Sequence, residues 1–303
     1  MAGSGLELTK EVQVATDQWE NLVSRLEGVL DHVDSLLERV APELAQQQVD
    51  FALFWAYRWQ KTGDGGKIVP VEHPHLVDLD DLVGVDYAKE LLVRNTAQFV
   101  AGAPANNVLL WGERGNGKSS CVKGLLNLFA PRGLRIIEVQ RWDLLSLPAI
   151  VGFLRDCPFR FILFCDDLSF GEEEAEFRAL KTLLDGGIEA RPENVLIYAT
   201  SNRRHLMPEL MSDNTGSAEI HPEEAVSEKL SLSDRFGLAL GFSTFDQETY
   251  LAIVENYAQR LVLTIGWEEL KKEALLWALY SGRRSGRSAR QFIDDLKGRI
   301  ELG

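Results

Sequence analysis

One stretch limits what this chain can fold into more than any other: NVLLWGERGNGKSSCVKGLL, residues 107–126. Four apolar residues, Val108 to Trp111, run straight into a glycine-rich turn, and a helical pattern follows. Gly112 to Ser119 fit G-x-x-x-x-G-K-[ST], in the context that motif requires: strand before, helix after. Glycines let the backbone curl so that successive N–H groups point inward. The helix starting near Lys118 adds its positive dipole end. Such a turn is built to hold phosphate. Lys118 would reach the β- and γ-phosphates of a nucleotide, and Ser119 would hold Mg²⁺. The candidate binding set is Gly112, Glu113, Arg114, Gly115, Asn116, Gly117, Lys118, Ser119 and Ser120. A glycine-rich turn with a solvated lysine is the bland alternative, and it leaves the completeness of the motif unexplained.

The rest of the composition narrows the class. A chain of 303 residues holds two or three compact units. Its formal charge of −14 argues against bulk, sequence-independent nucleic-acid binding, though not against a local basic patch. Cys121, Cys157 and Cys165 stand in apolar or helical contexts without metal-ligand spacing, and read as buried free thiols. No apolar run has the length of a membrane span, and no signal-peptide pattern is present. The expected location is the cytoplasm.

Along the chain, residues 1 to about 65 read as helical. Leu22, Leu26, Val29, Val33, Leu36 and Val40 form a seam at heptad rhythm. The seam suits a helix packed inside a small helical domain, or a partner-binding helix. A second helical stretch is expected from Pro42, apolar from Phe51 through Trp59. "KTGDGGK" reads as a linker, and "HPHLVDLDDLVGVD" as extended chain. His73 and His75 lack partners at metal-ligand spacing. From residue 85, helices alternate with the apolar strands "NVLLW", "LRIIEVQ", "FRFILFC" and "NVLIYATS". That alternation predicts a parallel sheet covered on both faces. Residues 206–230 form a long acidic insertion, read as a surface excursion.

Chemistry-bearing residues end these strands. "FILFCDD" delivers two carboxylates to the ligand side of the sheet. Asp166 would bind Mg²⁺ through water and Asp167 would polarise the attacking water. "YATSNRR" ends the next strand and offers Asn202 to the γ-phosphate or the water. In "SLSDRFGL", Arg235 has two readings: an ion pair with Asp234, or projection into the nucleotide site of a neighbouring subunit. "SGRRSGRSARQFID" sets Arg283, Arg284, Arg287 and Arg290 at a helix start, where one should face the nucleotide.

In this order, these motifs resemble the AAA+ ATPases. "CDDLSF", "ATSNRRHL", "LSDRFGL" and "SGRSARQF" resemble more closely the bacterial ATPases grouped as domain of unknown function 815. The resemblance, over about residues 76–303, implies an α/β fold: a P-loop NTPase parallel sheet sandwiched by helices, with a C-terminal helical lid and an N-terminal helical domain. The corresponding domains are 1–65, 66–243 and 244–303. It implies ATP and Mg²⁺ as cofactors. "DLVGVD" resembles the adenine-contacting turn, which assigns Leu82, Val83 and Gly84 to the base. By the same resemblance Asn202 is the first sensor, Arg235 an arginine finger acting in trans, and Arg290 the second sensor, with Arg287 its competitor. A ring-forming homo-oligomer, with the hexamer as one option, follows, and an unidentified protein partner is expected at the N-terminal helices.

Two departures shape the expected activity. The short connection between the strands ending at Gln140 and starting at Phe161 leaves little room for a threading loop, and "AIVGF" there reads as a buried helix. Asp167 stands where hydrolysing relatives carry glutamate. Water positioning tolerates little error, so hydrolysis is expected to be slow. Both departures favour a loader, remodeller or nucleotide-gated switch. The leading reading is an ATPase acting on a macromolecular partner. The alternative is an ATP-gated binding protein with negligible turnover, and a metabolic kinase is disfavoured for want of an acceptor site.

Overall fold

The computed structural model describes residues 28, 49–63, 65–170, 175–186, 192–204, 206 and 232–302. Two compact units divide the chain: residues 1–49 with 62–67, and residues 50–61 with 68–303. The heptad seam and nearly all of the 206–230 insertion lie outside the described residues.

In the second unit, strands and helices follow in the order β1 (Ala56–Thr62), β2 (Gly65–Pro70), α1 (Asp86–Val100), β3 (Val108–Gly112), α2 (Lys118–Phe129), β4 (Leu134–Glu138), α3 (Leu147–Leu154), β5 (Arg160–Cys165), α4 (Ala175–Asp185), β6 (Val195–Ser201), β7 (Leu238–Phe242), α5 (Gln247–Arg260), α6 (Trp267–Ser281) and α7 (Gly286–Leu302). Of the first two strands, residues 56–61 of β1 and 68–70 of β2 belong to this unit, and Thr62 and residues 65–67 to the first. The strands make one sheet in the order β2-β1-β4-β5-β6-β3-β7. From β1 to β7 every neighbouring pair is parallel. All of β6, and β5 from Phe161 to Cys165, are buried, so helices cover both faces as the apolar runs predict.

Parallel pairing has a functional consequence. It brings the carboxyl ends of β3, β5, β6 and β7 to one edge of the sheet, where ligands bind in open α/β folds. The core beneath this edge includes Val108, Leu110, Val122, Leu125, Ile162 and Tyr198. Fully burying each such aliphatic side chain contributes about 1.5–3 kcal/mol. Helices α5, α6 and α7 form a separate small core around Tyr250, Val254, Ala274, Phe292 and Ile293. In α7, Ala289, Phe292, Ile293 and Leu296 make the apolar stripe, while Asp294 and Asp295 face outward. Asp246 caps α5 by accepting from Thr249 N at 2.8 Å. That bond holds its carboxyl below the ordinary value.

The helix expected through Phe51–Trp59 is corrected: Ala56 onward is strand. Tyr57 and Trp59 are buried while Arg58 and Gln60 are exposed, a period of two. β1 finds a ladder partner in β4, with Ala56 opposite Ile136. Ahead of it, Phe51 packs edge-on against Tyr57 and Phe161. Its carbonyl accepts from the buried Arg135 Nε at 2.5 Å. Sheet pairing and this anchor override local helix preference. Cys121 and Cys165 are buried free thiols, and burial pushes both up to about 12. Cys157 is partly exposed instead. "AIVGF" lies in α3, with Ile150 and Val151 buried, as expected.

Candidate functional site

The turn between β3 and α2 starts where the sheet packs tightest. Gly112 has φ 127°, and a Cβ there would stand 2.0 Å from Phe242 O. Only glycine lets the loop leave β3 so close to β7. At Gly115 a Cβ would press on Arg287 Cβ and Ser285 Oγ, both at 3.0 Å. Gly115 O instead accepts from Arg287 N at 3.1 Å. Asn116, buried in the loop, donates to Ser243 O at 2.5 Å. The loop is therefore held by β7, by the segment that follows it, and by the start of α7.

Lys118 opens α2 and is buried. Its ammonium donates to Gly112 O at 2.7 Å, Glu113 O at 2.8 Å and Asn202 Oδ1 at 3.3 Å. Burial depresses its pKa, opposed by the nearby charges of Asp167 and Asp166. Ser119 Oγ donates to Asp166 Oδ1 at 2.6 Å. A hydroxyl beside a carboxylate is the oxygen donor pair that Mg²⁺ takes when phosphates supply its other ligands. Asp167 follows in left-handed backbone, φ 53°. Its Oδ1 accepts from Asn202 Nδ2, and its Oδ2 lies 3.7 Å from Arg114 Nη2.

These groups share one cavity of about 870 Å³. Arg114, Gly115, Asn116, Gly117, Lys118, Ser119, Ser120, Asp166, Asp167 and Asn202 line it. So do Leu82 and Val83 on its apolar side, joined by Val85, Phe245, Ile253 and Tyr257. Gly84 follows in the same turn, against Phe245 and Thr249. Gly112 and Glu113 are not in the lining; they act through the carbonyls that hold Lys118. The volume and the mix of an apolar slot with a polar end suit a ligand of nucleotide size.

Arg287 and Arg290 both line the cavity. Arg290 is engaged by Asp294 at 3.0 Å and lies over the Tyr257 ring. Arg287 sits against the phosphate loop through its own backbone. Arg235 lies outside the cavity lining and pairs with Asp185. Sequence reading missed Thr200: it is buried, lines the cavity, and touches both acids. Its place two residues before Asn202 was the available signal.

Comparison with known families matches residues 52–300 to one described as protein of unknown function (DUF815). The chain belongs to that family. Among solved structures, the chain is similar to Thermotoga maritima RuvB, described as a Holliday junction branch migration motor, at 17% identity over 72% of each chain with a TM-score of 0.43. A variant of the same protein matches at 15% identity over 72% of each chain, with a TM-score of 0.44. A comparison with curated proteins found no match.

Proposed function

We propose that this family member is an AAA+-type ATPase that binds ATP with Mg²⁺ and couples the nucleotide cycle to remodelling or loading a macromolecular partner. One observation carries the reading. Lys118 and Ser119 of the glycine turn meet two residues remote in sequence, Asn202 and Asp166, by direct hydrogen bonds in one nucleotide-sized cavity.

In this reading Lys118 and the loop amides bind the β- and γ-phosphates, and Ser119 with Asp166 holds Mg²⁺, which would neutralise phosphate charge. Asp167 orients the attacking water and Asn202 bridges Lys118 and Asp167. Leu82, Val83 and Gly84 meet the base. Arg290 is the second sensor and Arg287 its competitor: both line the cavity, Arg290 beside Asp294 and Tyr257, and Arg287 with its amide on Gly115 O. Arg235 serves the site of an adjacent subunit in a homo-oligomeric ring, the lid is residues 244–303, and the residues ahead of β1 recognise a protein partner. The acidic net charge does not favour nucleic acid as that partner. No described helix is long and apolar enough to cross a membrane, and the cytoplasm is the proposed location.

A second reading has its own support. One oxygen of Asp167 accepts from Asn202, and the other faces the exposed Arg114 guanidinium at 3.7 Å. A carboxylate that spends one oxygen on Asn202 and faces a guanidinium with the other is a weaker base toward water, which suits an ATP-gated binding protein with negligible turnover. Calorimetric ATP titration tests the binding that both readings share. The parent chain should bind and Lys118→Ala should not; equal affinity in the two would sink both. Steady-state phosphate release, with and without cell extract, then separates turnover from gating.

A further inference from the structure

The end of β6 does more than present Asn202. Three consecutive side chains there hold the turn that follows β5. Thr200 Oγ1 donates to Asp166 Oδ1 at 2.5 Å and accepts from Asp167 N at 2.8 Å. Ser201 Oγ donates to Leu168 O at 2.7 Å. Asn202 Nδ2 donates to Asp167 Oδ1. The backbone closes the clasp, with Leu168 N donating to Thr200 O at 2.7 Å. Thr200 and Ser201 are buried, so losing either hydroxyl would leave buried polar partners short of a bond.

Thr200 is the central member. Asp167 has left-handed backbone, φ 53°, a conformation uncommon outside glycine, though aspartate adopts it more readily than most. The Thr200 hydroxyl constrains it by taking the Asp167 amide. The same hydroxyl shares Asp166 Oδ1 with Ser119. Two donors on one oxygen restrict the carboxylate's rotation. Valine has the same shape as threonine and packs in strands, so shape alone does not call for a hydroxyl here.

We infer that Thr200 is a positioning residue for the metal-holding carboxylate: it sets the rotation of Asp166, and through the Asp167 amide it sets the turn that aims the second acid. The inference rests on the proposed reading of this cavity as a Mg²⁺–nucleotide site. Removing a partner that orients a metal ligand weakens metal affinity about 10–100-fold.

The test is binding, not turnover. Affinity of the full chain for a fluorescent ATP analogue is measured across a Mg²⁺ titration, for the parent, Thr200→Val and Thr200→Ser. Thr200→Val should need about 10–100-fold more Mg²⁺ to reach its tight-binding state, and should bind the metal-free analogue as the parent does. Thr200→Ser, which keeps the hydroxyl, should restore the parent's Mg²⁺ dependence. A Thr200→Val chain with the parent's Mg²⁺ dependence overturns the positioning role and leaves the nucleotide reading standing. A parent that binds no analogue at any Mg²⁺ concentration overturns the nucleotide reading, and this inference with it. If Thr200→Val melts below the assay temperature, Thr200→Ala against Thr200→Ser carries the same comparison, and equal Mg²⁺ dependence in those two overturns the role.

Discussion

Substitution of Arg235 separates two accounts of the molecule by orders of magnitude. Within one chain, Arg235 is ion-paired to Asp185, with side-chain exposures of 24% and 44%. A partly exposed pair of this kind contributes about 0.2–1 kcal/mol. In a unit of this size, losing 1 kcal/mol lowers Tm by about 2–4 °C. If the pair were all that Arg235 does for ATP chemistry, Arg235→Ala and Asp185→Ala would both leave hydrolysis intact. If Arg235 completes the site of an adjacent subunit, the two variants diverge. Arg235→Ala should bind ATP normally yet hydrolyse it about 1,000-fold more slowly, as loss of an arginine finger does. Asp185→Ala should melt slightly lower and keep the parent rate. Mixing gives a second reading. Lys118→Ala lacks a working phosphate site but keeps Arg235, and Arg235→Ala has the opposite defect. Their mixture should regain phosphate release, rising with protein concentration because assembly is bimolecular. Continued inactivity of the mixture, with mixed oligomers seen by native mass spectrometry, would refute action in trans. Equal hydrolysis rates for Arg235→Ala and Asp185→Ala would refute any role beyond the local pair.

Asp167→Asn should bind ATP like the parent and lose phosphate release, whereas Asp167→Glu should hydrolyse faster if the short side chain limits water placement; a parent-like rate in Asp167→Asn excludes Asp167 as the water-orienting group. Lys118 gives a pH test. Burial depresses its pKa, so the unfolded chain binds more protons at this group than the folded one, between the depressed value and the ordinary one. Stability from this group therefore rises with pH through that window, up to the ordinary lysine value of about 10.4. The stability advantage of Lys118→Met over the parent, from urea unfolding without nucleotide, should shrink as pH rises toward that value. A difference that is flat or widening would show that burial does not penalise the ammonium.

The phosphate turn was legible in sequence because its chemistry is local. Gly112 to Ser119 lie within a single turn, and their spacing alone aims amides, ammonium and hydroxyl at one point. The parallel sheet was legible for a related reason: strands buried on both faces have no polar side to show, and "FRFILFC" and "NVLIYATS" have none. The helix read through Phe51–Trp59 failed because a short apolar run does not declare its period. Its strand state depends on β4 and on the carbonyl taken by Arg135, both remote in sequence. Distance along the chain did hide one further member of the site. Thr200 reads as one more residue of an apolar strand until parallel register sets β6 beside β5 and its hydroxyl falls between two acids. The surroundings of Arg287 and Arg290 likewise come from folding: the packing of α7 sets the Arg287 amide on Gly115 O and places Arg290 beside Tyr257, and both line the cavity. Sequence spacing determines which groups one turn can present together; which groups from different strands meet is decided by sheet order and register, which no single segment encodes.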